Sequence, residues 1–322
     1  MDFTEISELI SEEMSAVDSL VMDRLSSDIA LVNQLGYYII NSGGKRLRPL
    51  ILLLVAKALS YKGSWHVHLA AVIEFIHTAT LLHDDVVDES DLRRGNETAN
   101  ALFGNAASVL VGDYLYSRSF QMMVEVKNLR IMEVLSDTTN TIAEGEVLQL
   151  MNCNNPDVDI HDYLDVIHHK TATLFEAAAR LAAIINECDD QTEQAMAAFG
   201  LHLGNAFQLV DDALDYSSSA EELGKNIGDD LAEGKTTLPL ILAMQLGSAS
   251  QKEMIKKAIK QGGLEQLTEI SETIRETGAL DETFKYAERE IDKAELALVK
   301  LPDSSYKTAL LSLARHSLKR TS

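Results

Sequence analysis

Apolar residues recur every three or four positions along nearly the whole chain, and this period constrains the fold more than any other feature of the sequence. A spacing of i, i+3, i+4 and i+7 places apolar side chains on one face of an α-helix. No segment shows the alternation of apolar and polar residues that indicates a half-buried strand, and no low-complexity linker divides the chain. The sequence therefore predicts an all-α protein, a single-domain helical bundle over residues 1–322.

The predicted helices are separated by short turns rich in Gly, Pro, Asn and Asp, among them NSGG, RRGN, NNPD and LGKNIGDDLAEG. Segments such as AAVIEFIHTATLL are apolar on most faces, so we expect them inside the bundle. The predicted helices are 3–27, 29–42, 48–60, 65–89, 99–125, 129–152, 160–187, 191–217, 235–247, 250–261, 263–277, 279–300 and 303–319.

The net charge of −22 narrows the classes of partner, because the average field of so acidic a chain repels nucleic acid and anionic lipid. An anionic substrate would need local basic residues and cations. The two cysteines are too few for a disulfide framework and fit a reducing compartment. We see neither a secretory signal nor an apolar run long enough for a transmembrane segment, and we expect a cytoplasmic protein.

Two short acidic motifs, DDVVD and DDALD, each end a strongly apolar segment. Residues four apart on an α-helix lie about 40° apart around its axis, so the first and last aspartates of each motif share a face. The middle aspartate is rotated from the first by about 100°. The aspartates are Asp84, Asp85 and Asp88 in the first motif, and Asp211, Asp212 and Asp215 in the second.

Clustered carboxylates at the end of a buried helix raise one another's pKa unless a cation lies between them. A solvated acidic helix end is the alternative for one such motif, but two motifs fit divalent cations better. Mg²⁺ is the preferred ion, because it takes one or two carboxylates and completes its octahedron with water and phosphate oxygens. The sequence has no thiolate cluster and no two-histidine helix motif of the zinc-binding kind.

The few basic residues include several close to these motifs and in loops, where arginine and lysine are the usual phosphate ligands. A solvated basic turn is the alternative for each of them alone. A nucleotide-binding P-loop is excluded, because Ile39 and Asp229 occupy the positions where that motif requires its first glycine. The basic residues in question are Lys45, Arg46, Arg48, Arg93, Arg94, Lys170, Lys225 and Lys235.

Five motifs together resemble the trans-polyprenyl diphosphate synthase family: GGKRLRP, EFIHTATLLHDDVVDESDLRRG, the Lys170–Thr171 pair, FQLVDDALDY and GKNIGDDLAEGKTTLPL. They occur in the family's order and extend from about residue 35 to 245. The resemblance implies an isoprenoid synthase bundle around a deep central cavity, usually in a homodimer. It also implies a prenyltransferase that condenses isopentenyl diphosphate with an allylic diphosphate, such as farnesyl diphosphate, using Mg²⁺.

The same resemblance implies roles for individual residues. Isopentenyl diphosphate would be held by Lys45, Arg48, His77 and Arg94. Mg²⁺ on the allylic diphosphate would be bound by Asp84, Asp85, Asp88, Asp211 and Asp215. The allylic diphosphate itself would contact Arg93, Lys170, Thr171, Gln208, Lys225 and Lys235. Catalysis would depend most on Lys170, Asp84, Asp88 and Asp211, whereas His77 alternatively fits a hydrogen-bonded core residue.

Product length would depend on the side chains about one turn deeper in the helix than Asp84, which are Ala79 and Thr80. Short-chain members of the family tend to carry aromatic residues there, so these small side chains imply a long product for a quinone side chain. Met122 and Met123 are candidates for the cavity floor, with ordinary core residues as the alternative.

Three other functions compete with this interpretation. A non-catalytic partner subunit would be expected to have damaged aspartate motifs, and both motifs are complete here. A terpene cyclase would not need the isopentenyl diphosphate site that the basic residues suggest. An acidic helical scaffold would release no diphosphate when Mg²⁺ is supplied.

Overall fold

The computed structural model describes residues 1–93, 95–217, 228–262 and 264–319. Within these ranges the chain is almost entirely helical, which confirms the predicted all-α class. The α-helices are α1 Phe3–Glu8, α2 Ser11–Leu25, α3 Ala30–Asn41, α4 Leu47–Ala58, α5 Trp65–Val87, α6 Ala99–Phe103, α7 Asn105–Glu125, α8 Leu129–Asn152, α9 Ile160–Ile167, α10 Thr173–Ile185, α11 Asp190–Leu214, α12 Asp229–Ala232, α13 Leu238–Leu246, α14 Ala249–Gln261, α15 Leu267–Glu276, α16 Ala279–Ala297 and α17 Ser305–Ser317.

The helix boundaries differ from the predicted ones at specific places. The predicted helix 3–27 is divided into α1 and α2, and the predicted helix 99–125 is divided at Gly104, whose φ of 85° a helix does not accept. The predicted helix 160–187 contains a π-helical turn, His168–Ala172, between α9 and α10. A 3₁₀ turn, Leu264–Gln266, precedes α15, and α12 forms inside a segment predicted as a break.

A small antiparallel ribbon, which the periodicity did not predict, follows α5. Strand β1 is Leu92–Arg93 and strand β2 is Asn96–Glu97, with Arg93 opposite Asn96. Strands of two residues are too short to produce a recognisable alternation. The ribbon lies directly after the first acidic motif, and it carries Arg93.

Several helices begin where the sequence supplies a capping residue. Asp2, Asp159 and Ser248 each accept a hydrogen bond from the backbone N–H three residues later, and the side chain at that later position bonds back to the cap. Such reciprocal caps satisfy two backbone donors that a helix start otherwise leaves unpaired. Pro239 lies in the first turn of α13, where a backbone N–H would have no partner within the helix, so the N–H that proline lacks is not missed.

The described chain forms two compact units. The first unit contains Met1–Thr139, Leu174–Gly200 and Ala297–Leu313, and the second contains Asn140–Thr173, Leu201–Leu296 and Ala314–Ser322, within the described residues. The first acidic motif belongs to the first unit and the second motif to the second unit. The single domain predicted over residues 1–322 stays a prediction.

Helix α5 is central to the first unit, where it contacts α2, α4 and α7. Helices α5 and α7 run antiparallel. The Ser108 hydroxyl near the start of α7 donates to the Leu82 carbonyl near the end of α5 at 3.0 Å. At the opposite end of the pair, His68 Nε2 lies 2.8 Å from the Met122 carbonyl. Helix α4 is buried almost throughout, which explains its continuous apolar sequence.

The second unit has its own hydrophobic core. Helix α13 is buried on nearly every face, and side chains of α9, α11, α14, α15 and α16 pack around the same cluster. The fully buried members include Leu209, Val210, Leu238, Leu240, Ile255 and Ile270. This core holds the end of α11, which carries the second acidic motif.

Among the described residues, one helix, Trp65–Val87, is long and apolar enough to cross a membrane by length and composition. Two thirds of its apolar window (67%) is buried inside the protein, as is typical of a core helix.

One partly buried ion network connects α11 with α16 in the second unit. The Glu290 carboxylate accepts hydrogen bonds from His202 Nδ1 at 2.8 Å, Asn205 Nδ2 at 3.1 Å and Lys293 Nζ at 2.6 Å. Burial alone raises the pKa of Glu290, but the bonds from His202, Lys293 and Asn205 outweigh it and lower that pKa to about 2. The carboxylate therefore stays charged in the folded protein.

We expect Glu290→Gln to lower the free energy of unfolding by about 1–3 kcal/mol near neutral pH, because the donors lose their charged acceptor. The folded-state pKa of about 2 lies below the usual 4.5. The stabilisation is therefore complete above that usual pKa and is lost as the pH falls through the folded one. Urea denaturation of both proteins over a series of pH values measures this difference.

Glu282→Gln is the matched control, since Glu282 lies on the same helix and makes exposed ion pairs with Lys285 and Arg289. It should change stability less than Glu290→Gln does. A difference between wild type and Glu290→Gln that stays constant or widens on acidification would contradict the assignment.

Candidate active site

The first acidic motif ends α5. The helix stops at Val87, and the Asp88 N–H bonds the Asp84 carbonyl at 2.8 Å. Asp84 and Asp88 are both half-buried, whereas Asp85 is fully buried. The burial pattern agrees with the helical geometry, in which the first and last aspartates share a face and the middle one is rotated away.

Asp85 forms a buried ion pair with Arg93 of β1. Arg93 Nε donates to Asp85 Oδ1 at 2.7 Å, while Asp85 Oδ2 is buried and has no hydrogen bond among the described residues. Burial is the largest influence and raises the pKa of Asp85, while Arg93 acts in the opposite direction. Arg93, predicted to contact the allylic diphosphate, is thus held beside the motif, and Asp85 as a metal ligand stays a prediction.

Two of the residues predicted to hold isopentenyl diphosphate are in contact. Arg48 Nη1 lies 3.1 Å from His77 Nε2, and the Arg48 guanidinium lies 4.4 Å above the Phe175 ring. The Phe175 ring and the His77 imidazole fix the plane of the Arg48 guanidinium. Lys45 is exposed in the turn before α4, and Arg94 lies outside the described residues.

Arg46, between these basic residues, has a different environment. It adopts a left-handed conformation with φ of 45°, and Arg46 Nη1 lies 3.0 Å from Asp18 Oδ1. This ion pair holds Arg46 against α2.

Lys170 and Thr171 lie in the π-helical turn between α9 and α10. Such turns are rare and occur often at functional sites, because the extra residue redirects side chains. The Lys170 ammonium donates to Glu146 Oε2 at 2.7 Å. Gly145 lets the turn approach α8, since a Cβ there would lie 2.8 Å from the Lys170 backbone nitrogen.

A chain of hydrogen bonds leads from the π-helical turn to the second acidic motif. The Thr171 hydroxyl donates to Gln208 Oε1 at 2.9 Å, and Gln208 Nε2 donates to Asp212 Oδ1 at 2.7 Å. The Tyr163 hydroxyl donates to Asp212 Oδ2 at 2.6 Å. Burial, followed by the charge of Asp230, raises the pKa of Asp212 to about 7.

The aspartates of the second motif differ in environment. Asp211 is half-buried on α11, whereas Asp212 and Asp215 are buried. The Asp215 backbone carbonyl accepts a hydrogen bond from Gly228 N–H at 3.3 Å, which ties the start of the following described segment to the motif. Lys225 lies outside the described residues.

Lys235 lies at the end of that segment, in the second unit. Its backbone N–H bonds the Asp230 carbonyl at 2.8 Å, and its ammonium pairs with Glu233. The turn is braced by Asn154, whose N–H bonds the Gly234 carbonyl at 2.8 Å. These bonds hold Lys235 in the same unit as the second motif.

The predicted chain-length residues all lie in the first unit. Ala79, Met122 and Met123 are fully buried, and the Thr80 hydroxyl bonds the His77 carbonyl at 2.8 Å. Because Met122 meets His68, it lies about three helical turns, or roughly 16 Å, further from the first motif than Ala79. Ala79 therefore lies between the first motif and the level of Met122 along α5, and the chain-length role of these residues stays a prediction.

Sequence reasoning missed four side chains that contact the predicted site: Glu146, Tyr163, Phe175 and the middle aspartate Asp212. The rotation of Asp212 away from its neighbours was visible in the sequence, but its partners were not. Glu146 and Phe175 have no local signal, because what they contact depends on how distant segments pack.

The donors available in both motifs are carboxylate oxygens. Within the described residues, no group of three or more His, Cys, Asp or Glu side chains is arranged to hold a metal ion. The shared face of Asp84 and Asp88 offers a pair of carboxylates. A pair of this kind fits Mg²⁺, which takes one or two carboxylates and draws its other ligands from phosphate and water.

Comparison with known proteins gives one consistent family. A family model described as "Polyprenyl synthetase" matches residues 29–276. The chain is 53% identical to octaprenyl diphosphate synthase of Escherichia coli, over 99% of both chains. It is 46% identical to a geranyl-diphosphate-specific all-trans-nonaprenyl-diphosphate synthase of Rhodobacter capsulatus, over 97% of this chain and 96% of that one.

The fold agrees with these sequence matches. A polyprenyl synthase from Caulobacter crescentus, crystallised with calcium and isoprenyl diphosphate, superposes with a TM-score of 0.96 at 42% identity. The alignment covers 100% of this chain and 98% of that one.

Proposed function

The chain belongs to the polyprenyl synthetase family, and we propose that it makes octaprenyl diphosphate by adding isopentenyl diphosphate units to farnesyl diphosphate. It is a prenyltransferase, a long-chain trans-polyprenyl diphosphate synthase. The observation that carries the octaprenyl product is the 53% identity, over nearly the full length, to the Escherichia coli enzyme of that name.

A nonaprenyl product is the second candidate, since the Rhodobacter capsulatus relative bears that name at 46% identity. The shorter geranylgeranyl product is disfavoured by the small buried side chain of Ala79. A non-catalytic partner subunit is disfavoured by the two complete aspartate motifs.

Enzymes of this family depend on a divalent metal, and we propose Mg²⁺ for this one. In the first motif Asp84 and Asp88, with Asp85 beside them, would bind the metal, and in the second motif Asp211 and Asp215 would do so. Bound Mg²⁺ neutralises charge on the departing diphosphate and so lowers the barrier to breaking the carbon–oxygen bond. Glu146 and Asp85 hold Lys170 and Arg93, which fixes the two cations before substrate arrives.

The two substrates use different residues in this proposal. Arg48 and His77, with Lys45 and Arg94, bind isopentenyl diphosphate, and the contact between Arg48 and His77 supports a common role. Lys170, Thr171, Gln208, Lys225, Lys235 and Arg93 bind the allylic diphosphate. The departing diphosphate accepts the proton that the condensation releases, so no protein base is required.

Buried apolar side chains protect the reaction, because an allylic cation in contact with water would be hydrolysed. Ala79 and Thr80 leave room for the growing chain, and Met122 with Met123 form the floor about three turns deeper.

We further propose a homodimer that acts in the cytoplasm and supplies the side chain of a respiratory quinone. The outer face of α7 supports the dimer, since Val109, Leu110 and Val124 are 37%, 67% and 57% exposed, and Leu102 on the preceding α6 is 45% exposed. Exposed apolar residues that repeat along one helix face fit an interface between identical copies.

Incubation with labelled isopentenyl diphosphate, farnesyl diphosphate and Mg²⁺, followed by chromatography of the dephosphorylated products, tests the main proposal. We expect octaprenol as the principal product and no incorporation when Mg²⁺ is chelated. A principal product of nine isoprene units would select the second candidate, and absence of any condensation would reject the proposed activity.

Combining Asp84→Ala with Asp88→Ala should lower turnover by about 10³-fold or more at every Mg²⁺ concentration, because developing charge on the diphosphate loses its stabilisation. Mg²⁺-dependent binding of an allylic thiolodiphosphate, which does not ionise, should weaken in parallel. Asp137→Ala, an exposed aspartate on α8, is the control and should behave as wild type. Full turnover in the double variant would reject the metal role.

Ala79→Tyr should shorten the products by roughly three isoprene units, because an aromatic ring there closes the route to Met122 at about one unit per helical turn. Product sizing by chromatography measures the shift. Ala249→Tyr, at an exposed position of α14, should leave the product ladder unchanged. An unaltered ladder in a folded Ala79→Tyr protein would remove this account of chain length.

Leu110→Glu should convert the dimer to a monomer, since it places a charge in the proposed apolar interface. Sedimentation velocity measures the mass in solution. Leu296→Glu, which alters an even more exposed leucine on α16, should leave the mass unchanged. An unaltered dimer in Leu110→Glu would place the interface elsewhere.

A further inference from the structure

The middle aspartate of the second motif is bonded to two other side chains. Asp212 is 4% exposed, and both of its oxygens already accept short hydrogen bonds, one from Tyr163 and one from Gln208. Its neighbours Asp211 and Asp215 make neither of these bonds. Asp212 thus holds the Tyr163 and Gln208 side chains.

The hydrogen-bond directions along this chain are fixed by the chemistry of its members. In its charged form the Asp212 carboxylate only accepts, so Gln208 presents its amide NH₂ to it. Its carbonyl oxygen is then left to accept the single hydroxyl proton of Thr171. The orientation of Thr171 therefore follows from the position of Asp212.

Tyr163 is the other support of Asp212. It lies on α9, its ring is buried in the core of the second unit, and its hydroxyl delivers its one proton to Asp212 Oδ2 at 2.6 Å. Without that hydroxyl, one oxygen of a buried carboxylate would lose its partner, and Asp212 would be free to rotate away from Gln208.

We propose that Tyr163 and Asp212 are positioning residues for the allylic substrate, which hold Gln208 in one amide orientation and thereby direct the Thr171 hydroxyl. The inference rests on the proposed function, in which Thr171 and Gln208 contact the allylic diphosphate. Tyr163 does not touch the substrate and acts only through the chain.

Tyr163→Phe tests the proposal, because it removes one hydroxyl and keeps the ring in the core. We expect kcat/KM for the allylic diphosphate to fall on the order of tenfold, which is typical for loss of a partner behind a ligand-binding residue. The KM for isopentenyl diphosphate should stay within about twofold of wild type, because Arg48 and His77 are not part of this chain. The Kd of an allylic thiolodiphosphate, measured with Mg²⁺ by calorimetry, should rise by the same factor as the KM.

Tyr286→Phe is the matched control. Tyr286 packs against the same hydrophobic cluster, and its hydroxyl makes no hydrogen bond to Asp212. It should leave the kinetic constants of both substrates unchanged, while any general loosening of the core would affect both variants alike.

A double-mutant cycle with Gln208→Ala separates the proposed role from a purely structural one. If Tyr163 acts through Gln208, Tyr163→Phe should have no further effect on kcat/KM once Gln208 is alanine. Independent, additive losses would overturn the proposal. So would equal losses for both substrates, or unchanged kinetics in a folded Tyr163→Phe protein.

Two further variants keep the result interpretable. If Tyr163→Phe does not fold, Asp212→Asn, which keeps the shape of the side chain, should produce the same selective loss for the allylic substrate. Absence of that selective loss would reject the proposal.

Thr171→Ala tests the premise. If it has no effect, the proposed contact with the substrate fails and the inference fails with it. An effect of Thr171→Ala without one of Tyr163→Phe would reject the inference alone.

Discussion

The burial of a carboxylate inside a helical core is the constraint on which the candidate site depends. A buried charge without partners is costly, so each buried aspartate needs a donor that the fold must supply. Asp85 obtains Arg93, and Asp212 obtains Tyr163 and Gln208. These hydrogen bonds offset the free-energy cost of burying the carboxylates. They also hold the partner side chains in fixed positions, and the proposed chemistry uses those positions.

The first and middle aspartates therefore have the same environments in both motifs. In each, the first aspartate is half-buried, while the middle one is buried and bonded to a neighbouring side chain. In the first motif the spacing accounts for this pattern, because a rotation of about 100° between adjacent residues turns the middle carboxylate toward the protein. In the second motif the last aspartate, Asp215, is buried as well.

The π-helical turn His168–Ala172 also positions side chains at the candidate site. One additional residue in the turn displaces Lys170 and Thr171 from the positions that a regular helix would give them, so that Lys170 meets Glu146 and Thr171 meets Gln208. Gly145 makes the close approach possible. Periodicity predicted one continuous helix over this region, since a single inserted residue changes the phase too little to be recognised in a sequence.

The sequence by itself determined the helical class, most helix boundaries and the location of both aspartate motifs, because these follow from periods and spacings within one segment. It also determined the family, since five motifs occur in order. Only the tertiary structure decided that Arg93 is held by Asp85, that Lys170 is held by Glu146, and that Tyr163 supports Asp212. The last two pairs join residues 24 and 49 positions apart, and Arg93 reaches Asp85 only because the chain reverses after α5. Such contacts depend on how separate helices pack, and no local pattern in the sequence records them.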